Sequence, residues 1–283
     1  MLRRSRSSVS DKQQRIGEMN NRSDDVCPSL RSAMGFSSLM LTILLVSGCA
    51  LFQSSNQEDE TSEQAQWHYE MGAGYFESTD TTHAIGELTK ALQYDPDHRD
   101  AHYLLGFIYM GRRDYRRATQ HLRESLRVDP DYHFARNNLG TVYLAMERWE
   151  DAVEEFEVLL DEPMYTTPEL AHNNIGWAYY NMGRHAEALE HLRMAVHLAP
   201  EMCLAQNNKG RVHEARGNNA DAERFYRRAI EQCPQEYQEP HFYLGKLLQS
   251  QGDPNASAHF ERCVEIRSRN DLAERCRQYL QLH

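Results

Sequence analysis

From about residue 64 to the end of the chain, apolar and polar positions follow a helical period, and the pattern returns about every 34 residues. The segment Asn173–Tyr180 carries two stripes at once. Ile175, Gly176 and Tyr179 recur at spacings suited to packing, while Leu170, Asn173, Trp177 and Tyr180 run at intervals of 3, 4 and 3. A one-sided amphipathic helix needs only the first stripe. A second one bearing Trp and Tyr marks a surface kept for a partner.

Glycine sits at one register in six successive units, at Gly72, Gly106, Gly140, Gly176, Gly210 and Gly245. The intervals are 34, 34, 36, 34 and 35. Tyrosine follows three residues later at Tyr75, Tyr109, Tyr143 and Tyr179, and alanine twelve later at Ala84, Ala118, Ala152, Ala188 and Ala222. Pro96, Pro130, Pro163, Pro200 and Pro234 close the units. This predicts two antiparallel helices per unit, A and B. The glycine admits helix B, the alanine meets it, and Leu88, Leu122, Phe156, Leu192, Tyr226 and Phe260 fill the next layer. Proline stops helix B, having no N–H and disfavouring helix in the residue before it. The stretch 161–168, two residues longer than the period, is expected to pivot the stack. The sixth unit's turn is one residue shorter, and Asn270 or Asp271 is expected to cap a final helix with Leu272, Ala273, Cys276, Tyr279 and Leu280 on its apolar side.

This signature resembles the tetratricopeptide repeat (TPR). The resemblance implies an all-α, right-handed superhelical solenoid of six repeats with a C-terminal capping helix over residues 65–283, with a concave groove lined by A helices. The groove positions of such folds hold Tyr69, Ala73, Phe76, Tyr103, Phe107 and Met110 in units one and two. They hold Phe134, Asn137 and Leu144 in unit three, and Leu170, Asn173, Trp177 and Tyr180 in unit four. Leu204, Asn207, Arg211, Phe242 and Lys246 follow in the last two units. Asn137, Asn173 and Asn207 share one position, an expected ladder for the backbone of a bound extended segment. The neighbouring aromatics would bury its apolar side chains. Asn138, Asn174 and Asn208 are expected to be structural.

The first 48 residues have a different organisation. A polar, arginine-bearing region precedes the apolar run Leu39–Val46, then Ser47-Gly48-Cys49. This is the layout of a secretory signal, and its core is far short of the ~20 apolar residues that span a bilayer. Small residues before a cysteine resemble the bacterial lipobox, which implies cleavage before Cys49 and its lipidation. Ala50 at the next position implies sorting to the outer membrane, facing the periplasm. Residues 49–64 read as a flexible tether, and Met19 is an alternative start to Met1.

Four further cysteines in an exported chain suggest two bridges. Cys203 opens helix A of unit five and Cys233 ends its helix B, so the two ends are neighbours. Cys263 lies on helix B of unit six and Cys276 on the final helix. The expected pairs are Cys203–Cys233 and Cys263–Cys276.

Net charge is −11, which argues against a nucleic-acid partner despite the local run Arg112, Arg113, Arg116 and Arg117. No catalytic constellation, phosphate loop or nucleophile elbow is present. His98-Arg99-Asp100 falls at a helix start with no other kinase feature, and His185 and His191 lack the spacing of a helical zinc pair. Most of the fourteen histidines are expected on exposed positions. No enzyme activity, metal, cofactor or small-molecule substrate is expected.

The lipoprotein signal, tether, six TPR units and Asn173-Asn174-Ile175-Gly176-Trp177-Ala178-Tyr179-Tyr180 together resemble the type IV pilus pilotins, the PilF/PilW/Tgl family. The paired C-terminal cysteines are most similar to the Tgl-type branch. The resemblance implies an outer-membrane lipoprotein that binds secretin subunits in its groove and promotes their insertion or multimerisation. The alternatives are a periplasmic TPR scaffold for cell-wall or outer-membrane assembly, or the regulatory subunit of an enzyme complex.

Overall fold

The computed structural model describes residues 60–233 and 237–281. Among them there are thirteen helices and no strand. Helices α1 (60–77) and α2 (Thr81–Tyr94) form the first hairpin, followed by α3 (Arg99–Gly111) with α4 (Tyr115–Val128). Next come α5 (His133–Ala145) with α6 (Trp149–Asp161), and α7 (Pro168–Asn181) with α8 (His185–Leu198). The last two hairpins are α9 (Cys203–Ala215) with α10 (Asn219–Gln232), and α11 (Glu239–Ser250) with α12 (Ala256–Ile266); α13 (Asp271–Gln281) follows. The packing is a solenoid-like stack of helical hairpins. Each helix packs on its sequence neighbour, and from repeat two onward each A helix also meets the next one.

The expected signal, Cys49 and most of the expected tether lie outside the described residues. Residues 60–64, the remainder of that tether, are instead helical and belong to α1. Most of these residues are exposed, so no apolar period announces them. No described helix is long and apolar enough to cross a membrane.

The glycine column does what the interval predicts. A Cβ built on Gly72, Gly106 or Gly176 would lie 2.6–2.7 Å from Cγ of Leu88, Leu122 or Leu192. At Gly140, Gly210 and Gly245 it would lie 2.5–2.8 Å from the rings of Phe156, Tyr226 and Phe260. Each layer residue is at most 1% exposed. Hydrogen therefore occupies the point where helix B crosses helix A, and the hairpin closes to a distance no side chain permits.

The turn between A and B uses a left-handed residue at one register: Thr79, Arg113 and Glu147 in the first three repeats, Gly183, Gly217 and Gly252 in the last three. Only glycine takes this conformation without strain. Glu147 has φ of 58° and is exposed. Replacing it by glycine is expected to stabilise the protein by about 1 kcal/mol, because relief of the left-handed strain outweighs the extra chain entropy. A rise in the urea midpoint at unchanged slope would show it, and a fall would mean that the Glu147 side chain contributes more than its backbone strain costs.

A second column pairs helix A with helix B inside every repeat but the fifth. It reads His68–Glu87 (2.7 Å), His102–His121 (3.1 Å), Arg136–Glu155 (2.8 Å), His172–His191 (3.1 Å) and His241–His259 (3.1 Å). These histidines are buried or half-buried, which corrects the expectation of exposed positions. In the second and third repeats the same A-helix side chain also donates to the carbonyl of the proline that closes the preceding repeat. His102 Nε2 reaches Pro96 O at 3.0 Å, and an Arg136 Nη reaches Pro130 O at 2.7 Å. An orphan carbonyl beyond each helix C-terminus is thereby satisfied.

One apolar cluster runs from Ala84 to Val212, and a second from Ala222 to Cys276. The longer junction at 161–168, expected as a pivot, does not interrupt the first. The change of cluster falls in repeat five, where α9 buries the three consecutive amides Gln206, Asn207 and Asn208. The Cys203–Cys233 disulfide joins the start of α9 to the end of α10 (Cα–Cα 6.0 Å) in that same repeat. Cys263–Cys276 ties α13 to α12 (Cα–Cα 6.5 Å), and Asn270 Oδ1 caps α13 by accepting from Ala273 N at 2.8 Å. Covalent closure thus supplies stability where burial is least apolar and where the stack ends.

Candidate partner-binding face

The A-helix positions expected to form a groove fall into three physical classes. Phe107 (37% exposed), Phe134 (55%), Leu170 (39%) and Leu204 (40%) present apolar surface to solvent. Tyr69, Ala73, Phe76, Tyr103, Met110, Leu144 and Tyr180 are half-buried against the core, and Trp177 is half-buried. Asn173 and Asn207 are 2% exposed and Phe242 is fully buried, so these three are packing residues. Asn137 is half-buried, with its Oδ1 3.4 Å from the Tyr165 hydroxyl.

The asparagine ladder is therefore corrected. Asn208 Nδ2 donates to Asn173 Oδ1 at 3.0 Å, and Asn173 Nδ2 donates to Asn174 Oδ1 at 3.2 Å. At the junction of repeats two and three, Asn138 lies beside the Tyr103 side chain and opposes the rise that burial gives its pKa. The link joins one A helix to the residue one register on in the next. At the longer junction Tyr165 from the inserted stretch takes over, donating to Asn137. These amides hold adjacent repeats together, because a buried amide must be paired.

The aromatic residues form chains that cross repeats. Phe76 meets Phe107 edge-on at 5.8 Å, and Tyr103 lies 6.4 Å from Phe107, 5.2 Å from Tyr132 and 6.4 Å from Phe134. Burial raises the pKa of the Tyr69, Tyr103 and Tyr132 hydroxyls, with Asp100 adding to it for Tyr69 and Tyr132, so all three stay neutral. In repeat four Trp177 stacks on Tyr180 at 5.2 Å. The Arg211 guanidinium sits 4.2 Å from the Trp177 ring, 5.0 Å from Tyr180 and 4.6 Å from Tyr243. Trp177, expected as a groove position, is half of a cation–π arrangement that spans repeats four to six. Tyr243 and Tyr132 were absent from the expected face. Both neighbour an assigned position by one or two residues, and only the twist between helices brings them in.

Among the described residues no group of three or more His, Cys, Asp or Glu side chains is placed to hold a metal ion. What the face offers chemically is aromatic surface, exposed leucine and cationic nitrogen, the components of peptide recognition.

Tetratricopeptide repeat models match residues 99–132 and 171–237. Sequence comparison with the curated proteins returns no match. Among solved structures, the chain is similar to PilW, described as a widely conserved type IV pilus biogenesis factor, at 19% identity and a TM-score of 0.65 over 74% of this chain and 96% of that one. It is similar to PilF of Pseudomonas aeruginosa at 18% identity and a TM-score of 0.61, covering 78% and 99%. A tetratricopeptide repeat protein of Parabacteroides merdae matches at 16% identity and a TM-score of 0.68, covering 78% and 86%. The glycine column, the hairpin stack and these matches make this chain a TPR repeat protein with structural similarity to PilW and PilF.

Proposed function

We propose that this protein is a pilotin: an outer-membrane lipoprotein, held by acyl chains on Cys49, whose A-helix face captures type IV pilus secretin subunits in the periplasm and promotes their insertion or multimerisation. The observation that carries the reading is the exposed row Phe107, Phe134, Leu170 and Leu204 beside the Trp177–Tyr180 stack, on a fold shared with two pilus proteins. Contiguous exposed apolar side chains on one face mark an interaction surface. Two or more acyl chains would hold the capturing face firmly at the membrane, since each buried methylene contributes about 0.8 kcal/mol.

Deletion of the gene should abolish heat-resistant secretin multimers in membrane extracts, and normal multimers with intact pili would remove the pilotin reading. Trp177→Ala is expected to weaken partner capture about tenfold through loss of aromatic surface at the contact. Its circular dichroism should stay that of the parent, because Trp177 is only half-buried. Unfolding of this variant would make Trp177 a core residue and would leave the exposed row as the whole surface.

A further inference from the structure

In one repeat a lysine stands at a core position. The residue just before the column glycine is Met71, Leu105, Leu139, Ile175 and Leu244 in five repeats, and Lys209 in the fifth. Leu105, Leu139, Ile175 and Leu244 are at most 1% exposed. Lys209 is half-buried, and its side chain runs toward helix B, where Nζ lies 4.2 Å from the centroid of the Phe225 ring. Phe225 occupies the register that holds Glu87, His121, Glu155, His191 and His259 in the other repeats. Repeat five has therefore exchanged its polar A–B pair for a ring. The same ring carries the Arg224 guanidinium at 4.9 Å and stacks on His213 at 5.2 Å.

Positive charge converges at this point from three helices. Burial lowers the pKa of the Lys209 ammonium, and Arg224 and Arg228 of α10 and Arg193 of α8 lower it further. Among the described residues Lys209, Arg193 and Arg228 have no carboxylate in an ion pair, while Arg224 pairs with Asp221 at 2.8 Å. Cations elsewhere in the stack are saturated, Arg99 by Asp100 and Asp129, and Arg136 by Glu155. One turn beyond Lys209, the buried Nδ1 of His213 makes no hydrogen bond, with Asp221 3.6 Å away.

We propose that Lys209, with Arg193, Arg224 and Arg228 around it, forms a phosphate-binding site on the B-helix side of repeats four and five. The site lies off the A-helix partner face and does not depend on the pilotin reading. A lysine at this register costs stability: it gives up an apolar side chain, half-buries an ammonium and sets it among like charges. Its stem crosses the apolar layer and its head emerges between α8 and α10, seated on a ring that holds it at one place. A local rule broken in one repeat of six, with nothing inside the fold to compensate, is what a binding site looks like. The tetrahedral phosphate suits the arrangement, because its oxygens accept from donors that arrive from several directions, whereas a planar carboxylate matches a single fork. The chain carries a net charge of −11, so this cluster is a local exception on a surface that otherwise repels anions.

The test is isothermal titration calorimetry on the full chain at pH 7, with ionic strength held constant by chloride. One arm titrates inorganic phosphate. The other titrates glycerophosphoglycerol, the deacylated headgroup of an anionic phospholipid. Saturable binding is expected in at least one arm. Tighter binding of inorganic phosphate assigns the site to free phosphate, and tighter binding of the diester assigns it to a lipid headgroup. Lys209→Met installs the side chain that repeat one already has at this register. It is expected to weaken binding at least about tenfold, the size of one charge-assisted contact. In phosphate-free buffer the same variant should have a higher urea midpoint than the parent, and the ligand that binds should raise the parent's midpoint and not the variant's. Arg228→Gln, an exposed change, should weaken binding with the fold intact. Absence of binding in both arms overturns the proposal, as does a Lys209→Met protein that binds like the parent. A lower midpoint for Lys209→Met in phosphate-free buffer would mean that the lysine serves the fold, and overturns it equally. Should Lys209→Met fail to fold, parental affinity in Arg228→Gln overturns the proposal by itself.

Discussion

Gly140→Ala is expected to destabilise the protein by about 3 kcal/mol, a large effect for one methyl group. The three nearest atoms to the new Cβ are all in the Phe156 ring, at 2.8, 3.0 and 3.0 Å, and Phe156 is fully buried. The ring has nowhere to move without separating α5 from α6. Because each repeat contacts mainly its neighbours, a splayed third hairpin also weakens the docking of the second and fourth. Phe156→Ala alone should cost about 3–5 kcal/mol through its cavity. The double variant should cost less than the sum by about 1–3 kcal/mol, since the alanine methyl now enters space the ring has left. The same pair at Gly176 and Leu192 should recover less. There the new Cβ also lies 3.1 Å from the backbone carbonyl of Ala188, which truncating leucine does not remove. Urea titration of the four variants at each site measures this. Strict additivity at Gly140 would show that the glycine is not selected by the ring.

That column was legible in the sequence because both partners repeat at fixed register. Each glycine precedes its layer residue by sixteen positions, and by fifteen in the shortened sixth repeat. Fold class, helix pairing and the expected cysteine pairs follow from the same register. The asparagines were placed correctly along the helix and assigned the wrong environment. Asn173 lies on the A-helix face, yet the next repeat covers it through Asn208, and a single helix's pattern contains nothing about how closely its neighbour lies. Arg211 was located without its cage, because Tyr243 reaches it across a repeat boundary. The left-handed turn positions escaped notice in the first three repeats, where Thr79, Arg113 and Glu147 stand in place of glycine. The histidine pairs were recoverable in principle. His102 and His121, or His172 and His191, are nineteen residues apart, which is the span that an antiparallel hairpin of this length brings together.

Those pairs make the stack sensitive to acid. In the His102–His121 pair, His102 Nε2–H donates to the Pro96 carbonyl, so its Nδ1 is the acceptor for His121 Nδ1–H. A second proton on the pair destroys that bond and sets two cations against each other. Burial lowers the pKa of His121 to about 4, with His102 and Arg117 adding to the effect and Glu124 opposing it. Burial likewise lowers His241 to about 4, helped by His259 and Arg262. Burial also depresses His172, His191 and His259, the last with Arg227 assisting and with Asp253 and Glu223 opposing. The sign follows directly. Between the folded pKa and the unfolded value of ~6.5, the unfolded chain binds more protons than the folded one, so stability falls as pH falls. It is fully present above about pH 6.5 and is lost toward pH 4. Partial exposure screens the effect, which leaves on the order of 2 kcal/mol for each of His121 and His241. Urea midpoints measured from pH 7.5 to pH 4.5 should therefore drop steeply across this window. His121→Glu recreates in repeat two the His–Glu pair that repeat one already holds at 2.7 Å between His68 and Glu87. A carboxylate beside His102 favours the protonated ring, so this variant should lose less stability over the same window than the parent does. A parent whose midpoint is flat from pH 7 to pH 5, or a variant with the parent's slope, would mean that these pairs do not control the acid response.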